Sequence, residues 1–131
     1  MITTSDILRA IADEKSLILF KTIGISDKDS EVLISKVKLT RKQYYSRMSN
    51  LMKASLIKRN NGKYSLTSLG KILYDSHSII EKAQENYWKL KAIDSLEIAH
   101  NTLPQAEHSK IIDTLIDNHE IKEILVKGLS K

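Results

Sequence analysis

The sequence predicts a mainly α-helical fold with one small β-hairpin, continued by a long helix and two short C-terminal helices. Three stretches carry this reading. The first is LTRKQYYSRMSNLMKASLI, residues 39–57. Thr40 is a helix N-cap and Gln43, three residues on, completes a capping box. Leu39 and Tyr44 flank the cap as a hydrophobic staple. Tyr44, Met48 and Leu51 then recur at spacings of four and three, so they share one helical face. The second stretch is Asn60-Asn61-Gly62-Lys63. Asn-Gly between two short runs is a strong local hairpin signal, because both turn residues must accept positive φ. The third is the series Leu69, Leu73, Ser76, Ile80, Ala83, Tyr87, Leu90. Its alternating spacings of four and three are those of a coiled-coil seam.

The remaining elements follow in order. Ser5 is read as the cap of a first short helix with Ile7, Leu8 and Ile11 on its apolar side. Asp13 interrupts and recaps. The second helix takes Leu17, Ile18, Phe20 and Ile23 as core and Gly24 as its C-terminal stop. Ser26 with Asp29 reads as another capping-box start, for a short helix carrying Val32, Leu33 and Val37. A brief turn leads to Thr40. Thr67 or Ser68 caps the long helix, expected to run unbroken to about His100. Asn101 to Pro104 breaks the chain, and Thr102 with Gln105 starts the next helix, with Pro104 in its first turn. That helix carries Ile111, Ile112, Leu115 and Ile116. Asp117-Asn118 is a further break, and Ile121, Ile124, Leu125 and Leu129 follow at helical spacing. Helices this short need a packing partner, on the same chain or another.

The bulk numbers bound what such a chain does. Its 131 residues allow one domain, or a small domain with a helical appendage, and a hydrophobic content of 41% supports a packed core. The absence of cysteine excludes disulfides and thiolate metal sites. No apolar run has membrane-spanning length and no signal-peptide pattern opens the sequence, so a soluble, cytoplasmic protein without membrane partners is expected. The four histidines, His77, His100, His108 and His119, follow no metal-binding spacing and read as surface or helix-end residues. There is no Gly-rich phosphate loop, nucleophile elbow or concentrated Asp/Glu/His cluster, so neither an enzyme nor a cofactor is expected. Tyr87 and Trp88 read as core or interface anchors before they read as the wall of a small-molecule pocket.

Charge is the most informative property. The net charge is +5, but its distribution is uneven. Residues 1–31 carry four basic and six acidic side chains, and residues 76–131 carry seven basic and nine acidic. Between Val32 and Tyr74 there are ten basic residues and no acidic one. This single-sign segment coincides with the capped helix and the hairpin, and it is the electrostatic footprint of a phosphate-binding surface.

Two helices joined by a few residues, the second with a polar outer face, form a helix-turn-helix, and the basic hairpin behind it acts as a wing. Three segments resemble known regulators. ILRAIADEKSLILFKTI resembles the opening of ArsR-like winged-helix repressors, with its Ala-x-Asp break between two helices. LTRKQYYSRMSNLMKASLI resembles the recognition-helix stretch of that superfamily, and departs from it at Ser55, where glycine is usual. YSLTSLGK resembles the strand and helix start after the wing in many MarR-, PadR- and archaeal-type regulators. The resemblance covers about residues 5–78. It implies a winged helix-turn-helix DNA-binding domain over residues 1–75 and a helical dimerisation region over residues 76–131.

The expected function is therefore sequence-specific binding of duplex DNA by a homodimeric transcription regulator, associated with the nucleoid. The recognition helix, about residues 40–54, would enter the major groove with Arg41, Lys42, Gln43, Tyr45, Ser46 and Arg47, preceded by Lys38 and Thr40. Arginine and glutamine suit bidentate contacts to guanine and adenine edges. The wing, about residues 57–66, would offer Lys58, Arg59, Asn61 and Lys63 to the backbone or minor groove. Ile80, Ala83, Tyr87 and Leu90 would form the dimer seam. The competing readings are a non-specific chromatin-architectural protein and a winged-helix protein-interaction adaptor. A small-molecule or metal effector would add a switch to the leading reading; nothing in the sequence indicates one.

Overall fold

The computed structural model describes residues 1–25, 28–99 and 104–129. The expected caps at Ser26 and Thr102, the expected helix end at His100, and the side chains of Asp29, Val32 and Leu129 lie outside the described residues. The protein is mainly helical with a small antiparallel hairpin, and it divides into two compact units, Met1–Asp75 and Ser76–Lys131. No helix among the described residues is long and apolar enough to cross a membrane.

The first unit opens with α1 (Thr4–Ala10) and α2 (Glu14–Ile25). The cap of α1 is Thr3, not Ser5. Thr3 Oγ1 accepts from the Asp6 amide at 3.1 Å, and the Thr3 amide donates to Asp6 at 3.2 Å. Ser5 would have Leu8 at its third position, which offers no return acceptor. Leu8 itself is exposed, while Ile7 and Ile11 pack on the core. Asp13 recaps as expected and accepts from the Ser16 amide at 3.2 Å. Leu19, Phe20 and Ile23 are the buried apolar residues of α2, and Leu17 and Ile18 are only partly covered. Gly24 does not stop α2, which continues through Ile25. It leaves room for the Tyr74 ring, which a Cβ at that position would overlap.

A two-residue strand, β1 (Lys28–Asp29), then precedes α3 (Ser30–Val37). These residues were expected in the first turn of a helix. Instead Lys28 pairs with Tyr64 and Asp29 with Lys63, which adds a third strand to the hairpin. Three residues, Lys38, Leu39 and Thr40, lead into α4 (Arg41–Lys53). Thr40 and Gln43 form the reciprocal capping box, and Tyr44, Met48 and Leu51 are the buried face of α4. The hairpin follows as β2 (Ile57–Asn60) and β3 (Lys63–Leu66), in a sheet of order β1-β3-β2. Asn61 and Gly62 make its two-residue loop at φ 55° and 78°, as the Asn-Gly signal predicts. One core gathers side chains from α2, α3, α4 and the hairpin, and Leu69, Leu73 and Tyr74 pack against it.

The end of α4 is a Schellman motif. The Ser55 amide donates to Met52 O at 2.9 Å and the Leu56 amide to Leu51 O at 3.0 Å. Ser55 occupies the left-handed position, φ 61°, that glycine fills most readily.

The helix after the hairpin is capped by Thr67, whose Oγ1 accepts from the Gly70 amide at 2.9 Å. The long helix expected to reach His100 is interrupted once, giving α5 (Ser68–Glu85) and α6 (Tyr87–Ala99). The interruption is Asn86. Its amide is shared between Lys82 O and Ala83 O at 3.2 and 3.1 Å, and its side-chain Nδ2 donates to Lys82 O at 2.8 Å. An asparagine side chain competes in this way with the backbone ladder. In the second unit α6 packs with α7 (Gln105–Leu115) and α8 (His119–Leu129) around Ile93, Ile112, Ile116 and Ile121. Pro104 is the N-cap of α7 and precedes its first turn. Asn118 caps α8 by accepting from the Ile121 amide at 2.9 Å, and Lys122 Nζ bonds Asp113 at 2.9 Å across the break.

Two substitutions of opposite sign test the α4–α5 junction. Ser55→Gly relieves a left-handed side chain and is expected to stabilise the protein by about 1 kcal/mol. Gly70→Ala places a Cβ on the Leu56 carbonyl oxygen, which is backbone and cannot step aside. It should destabilise by roughly 1–3 kcal/mol. Urea denaturation measures both, as a raised and a lowered midpoint with an unchanged slope.

Candidate nucleic-acid interface

With α4 anchored through Tyr44, Met48 and Leu51, the helical angle of about 100° per residue assigns its other faces. Lys42, Ser46 and Lys53 lie opposite the core, and all three are exposed. Arg41, Tyr45 and Met52 form one flank, also exposed. Tyr45 is 48% exposed and stands edge-on to the buried Tyr44 ring, centroids 5.0 Å apart. The other flank carries Gln43, Arg47 and Asn50. It turns toward α1, where an open cleft of about 410 Å³ lies between Arg9 and Ala10 on one side and Asn50 and Lys53 on the other.

This asymmetry changes two of the expected base contacts. Gln43 Oε1 accepts from the Thr40 amide at 3.2 Å, and Thr40 Oγ1 accepts from the Gln43 amide at 3.1 Å. A bidentate adenine contact needs that same amide oxygen. While the cap holds, Gln43 is a helix-start residue. Arg47 was expected to enter the groove, but its Nε donates to Asp13 Oδ2 at 3.1 Å, with side-chain exposures of 29% and 50%. It ties α4 to the start of α2. Only its position one residue before Met48 was legible in the sequence; the carboxylate that binds it stands 34 residues upstream.

The surrounding cations are placed differently. Of the ten basic residues between Val32 and Tyr74, all but Arg47 are exposed. Lys38, at φ 54°, forms the turn into α4. Lys58, Arg59 and Lys63 are exposed on the hairpin, with Asn61 at its tip. The Arg59 guanidinium lies over the Tyr64 ring, 5.7 Å from its centroid, so the cation is steadied while its edge stays in water.

The other candidate chemistry does not assemble. His77 pairs with Glu81 at 3.3 Å and His119 with Glu123 at 2.9 Å, each one helical turn apart. Among the described residues no group of three or more histidines and carboxylates is placed to hold a metal ion. In the seam series Ala83 and Leu90 pack on the second unit's own core, whereas Ile80 and Tyr87 are exposed. Trp88 is 80% exposed and contacts Tyr87 edge-on. Comparison with protein-family models, curated proteins and solved structures finds no match to this chain.

The Asp13–Arg47 pair yields an acid-sensitive prediction. Burial tends to raise the Asp13 pKa, but hydrogen bonds from Ser16 and the hydrogen bond and charge of Arg47 together hold it below its ordinary value. A depressed folded-state pKa stabilises fully above the unfolded carboxylate value of about 4 and loses that contribution as pH falls through the lower folded value. Asp13 is half exposed, so solvent screening limits the pair to roughly 0.5–1 kcal/mol. Arg47→Ala should lose this amount at neutral pH, and the gap from the wild type should close in acid. Urea titrations of both proteins from neutral pH downward check it.

Proposed function

We propose that the first unit is a winged helix-turn-helix module and that the protein is a homodimeric, nucleoid-associated transcription regulator that binds duplex DNA. The observation that carries this reading is the exposed cationic surface formed by α4 and the hairpin, two elements whose own residues include no carboxylate. The order α2-β1-α3-α4-β2-β3, with a three-residue connection between α3 and α4, supports it as the layout of two crossing helices and a wing. In this reading Arg41, Lys42, Tyr45 and Ser46 face the major groove. Lys38, Lys58, Arg59 and Lys63 hold phosphates, with Asn61 bringing the wing to the backbone or the minor groove. Arg47, Gln43 and Thr40 fix the reading helix in place. The family reading, an ArsR/MarR-like regulator, rests on the sequence segments alone.

One observation favours a second reading, an architectural protein that binds DNA with little sequence preference. With Gln43 in the cap and Arg47 on Asp13, two of the side chains expected on α4 to read bases are engaged inside the protein. Lysines supply phosphate attraction more readily than base discrimination.

A salt titration separates the readings. The probes are a duplex selected from a random library and a scrambled one. Lys42→Ala should cost about 1–3 kcal/mol on the selected duplex and less on the scrambled one. Lys63→Ala should weaken both equally and lower the salt slope by roughly one unit. Equal losses on both duplexes for Lys42→Ala select the architectural reading. No binding by the wild type at low salt rejects DNA as the partner and leaves the adaptor reading.

A further inference from the structure

We propose that a strip of the second unit running from Ile80 to Lys91 is a self-complementary docking face for a second copy of this chain. This deepens the homodimer element of the proposed function and replaces the heptad seam as its interface. Ala83 and Leu90 are committed to the unit's own core. The exposed apolar residues lie beside them. Ile80 is 63% exposed, Tyr87 49% and Trp88 80%.

The interruption at Asn86 does not break the strip. The Asn86 amide still reaches Lys82 O, and the Leu90 amide donates to Asn86 O at 2.9 Å, so the backbone ladder keeps its register on both sides. At about 100° per residue, Ile80, Gln84, Tyr87, Trp88 and Lys91 then fall within a strip roughly 100° wide. The Tyr87 and Trp88 rings meet edge-on at 5.1 Å, and the Lys91 ammonium lies 5.6 Å from the Tyr87 centroid. The aromatic pair is thus held by its own neighbours before any partner arrives, which lowers the ordering cost of association.

Three features point to a second copy as the occupant. First, residues 76–131 carry seven basic and nine acidic side chains, so this unit lacks the cationic excess that would attract nucleic acid, and two copies repel one another weakly. Second, the strip is complementary to itself. A two-fold axis near Gln84 sets Ile80 of one copy against Trp88 of the other and brings Lys91 to the end carrying His77 and Glu81. Third, the exposed parts of Ile80, Tyr87 and Trp88 come to roughly 400 Å². That is about half of the ~800 Å² per partner of a specific interface, with Gln84, Lys91 and the flanking polar residues as its rim.

The test uses the full chain. Wild-type protein should sediment as a dimer at micromolar concentration. Trp88 is the only tryptophan. Its emission should move to the red on dilution, with the same midpoint as dissociation. Trp88→Glu and Ile80→Glu should be monomeric with unchanged circular dichroism, while Ile124→Glu, exposed on α8 outside the strip, should remain dimeric. Glu81→Lys or Lys91→Glu alone should weaken the dimer about tenfold, and the double exchange should restore it. A monomeric wild type, a dimer that survives Trp88→Glu, a dimer lost in Ile124→Glu, or a double exchange without recovery would each overturn the proposal. Duplex binding measured in parallel keeps the two readings apart. A monomer that binds DNA overturns this inference and the homodimer element with it but leaves DNA binding standing, and a dimer that does not bind DNA overturns the function alone.

Discussion

The first unit depends on the backbone of Leu56. This residue is fully buried, and both of its peptide groups are committed. Its amide closes the last turn of α4 by donating to Leu51 O, and its carbonyl accepts from the Thr67 amide at 3.0 Å. The same carbonyl abuts Gly70 in the first turn of α5. Thr67 adds a second tie, because its hydroxyl donates to Ser55 O at 2.5 Å and accepts from the Gly70 amide. One residue thus sets where α4 ends, where the hairpin begins and how α5 leaves it. Buried peptide groups need partners, so a shift in any one of these elements would leave a donor or acceptor unpaired at roughly 1–3 kcal/mol. The outer face of α4 is rigid because its inner face and both of its ends are held.

That rigidity gives the charge distribution its meaning. Cations on mobile tails make a diffuse field, whereas those on α4 and the hairpin project from fixed backbone. Their mutual repulsion is destabilising in the isolated protein and is relieved by any polyanion that fits between them. The Asp13 carboxylate pairs with one member of this group, Arg47. It binds the least exposed of the α4 cations, and so neutralises a positive charge on the flank that meets α1. The effect is to concentrate the field on the face of Lys42 and Ser46 and on the wing.

Much of this was legible in the sequence where the determining interaction is local. The Thr40–Gln43 box, the Asn61-Gly62 turn and the Tyr44-Met48-Leu51 face each depend on residues within about two helical turns, and each was readable for that reason. The misses have a common physical character. A strand of two polar residues, Lys28 and Asp29, has no pattern of its own and exists because β3 has a free edge. Gly24 looked like a helix stop, but it answers to a ring 50 residues further along the chain. Arg47 is ordinary in its own helix and distinctive only beside Asp13. Non-local partners decide these positions, and a single sequence carries no direct record of them. The Thr3 cap is a different case: Thr-x-x-Asp was available locally, and the reciprocal acceptor was the signal that distinguishes it from Ser5.

The heptad-like series marks the limit of periodicity as evidence. Spacings of four and three establish that Leu69 to Leu90 share a helical face, and they leave open what covers it. Leu69 and Leu73 pack on the first core and Ala83 and Leu90 on the second, while Ile80 and Tyr87 remain in solvent. A coiled-coil seam would treat all of these positions alike. What divides them is the supply of apolar partners within reach. The second unit buries only Ile93, Ile112, Ile116 and Ile121 among its described residues, so it covers the nearest members of the series and no more. A helix pair with more apolar surface than its own core can absorb leaves the remainder as a strip beside that core, and here the remainder includes the largest side chain in the protein, Trp88, at 80% exposure. Single exposed apolar residues are common on protein surfaces, but Ile80, Tyr87 and Trp88 lie on one helical strip within nine residues, and that clustering is what calls for a partner.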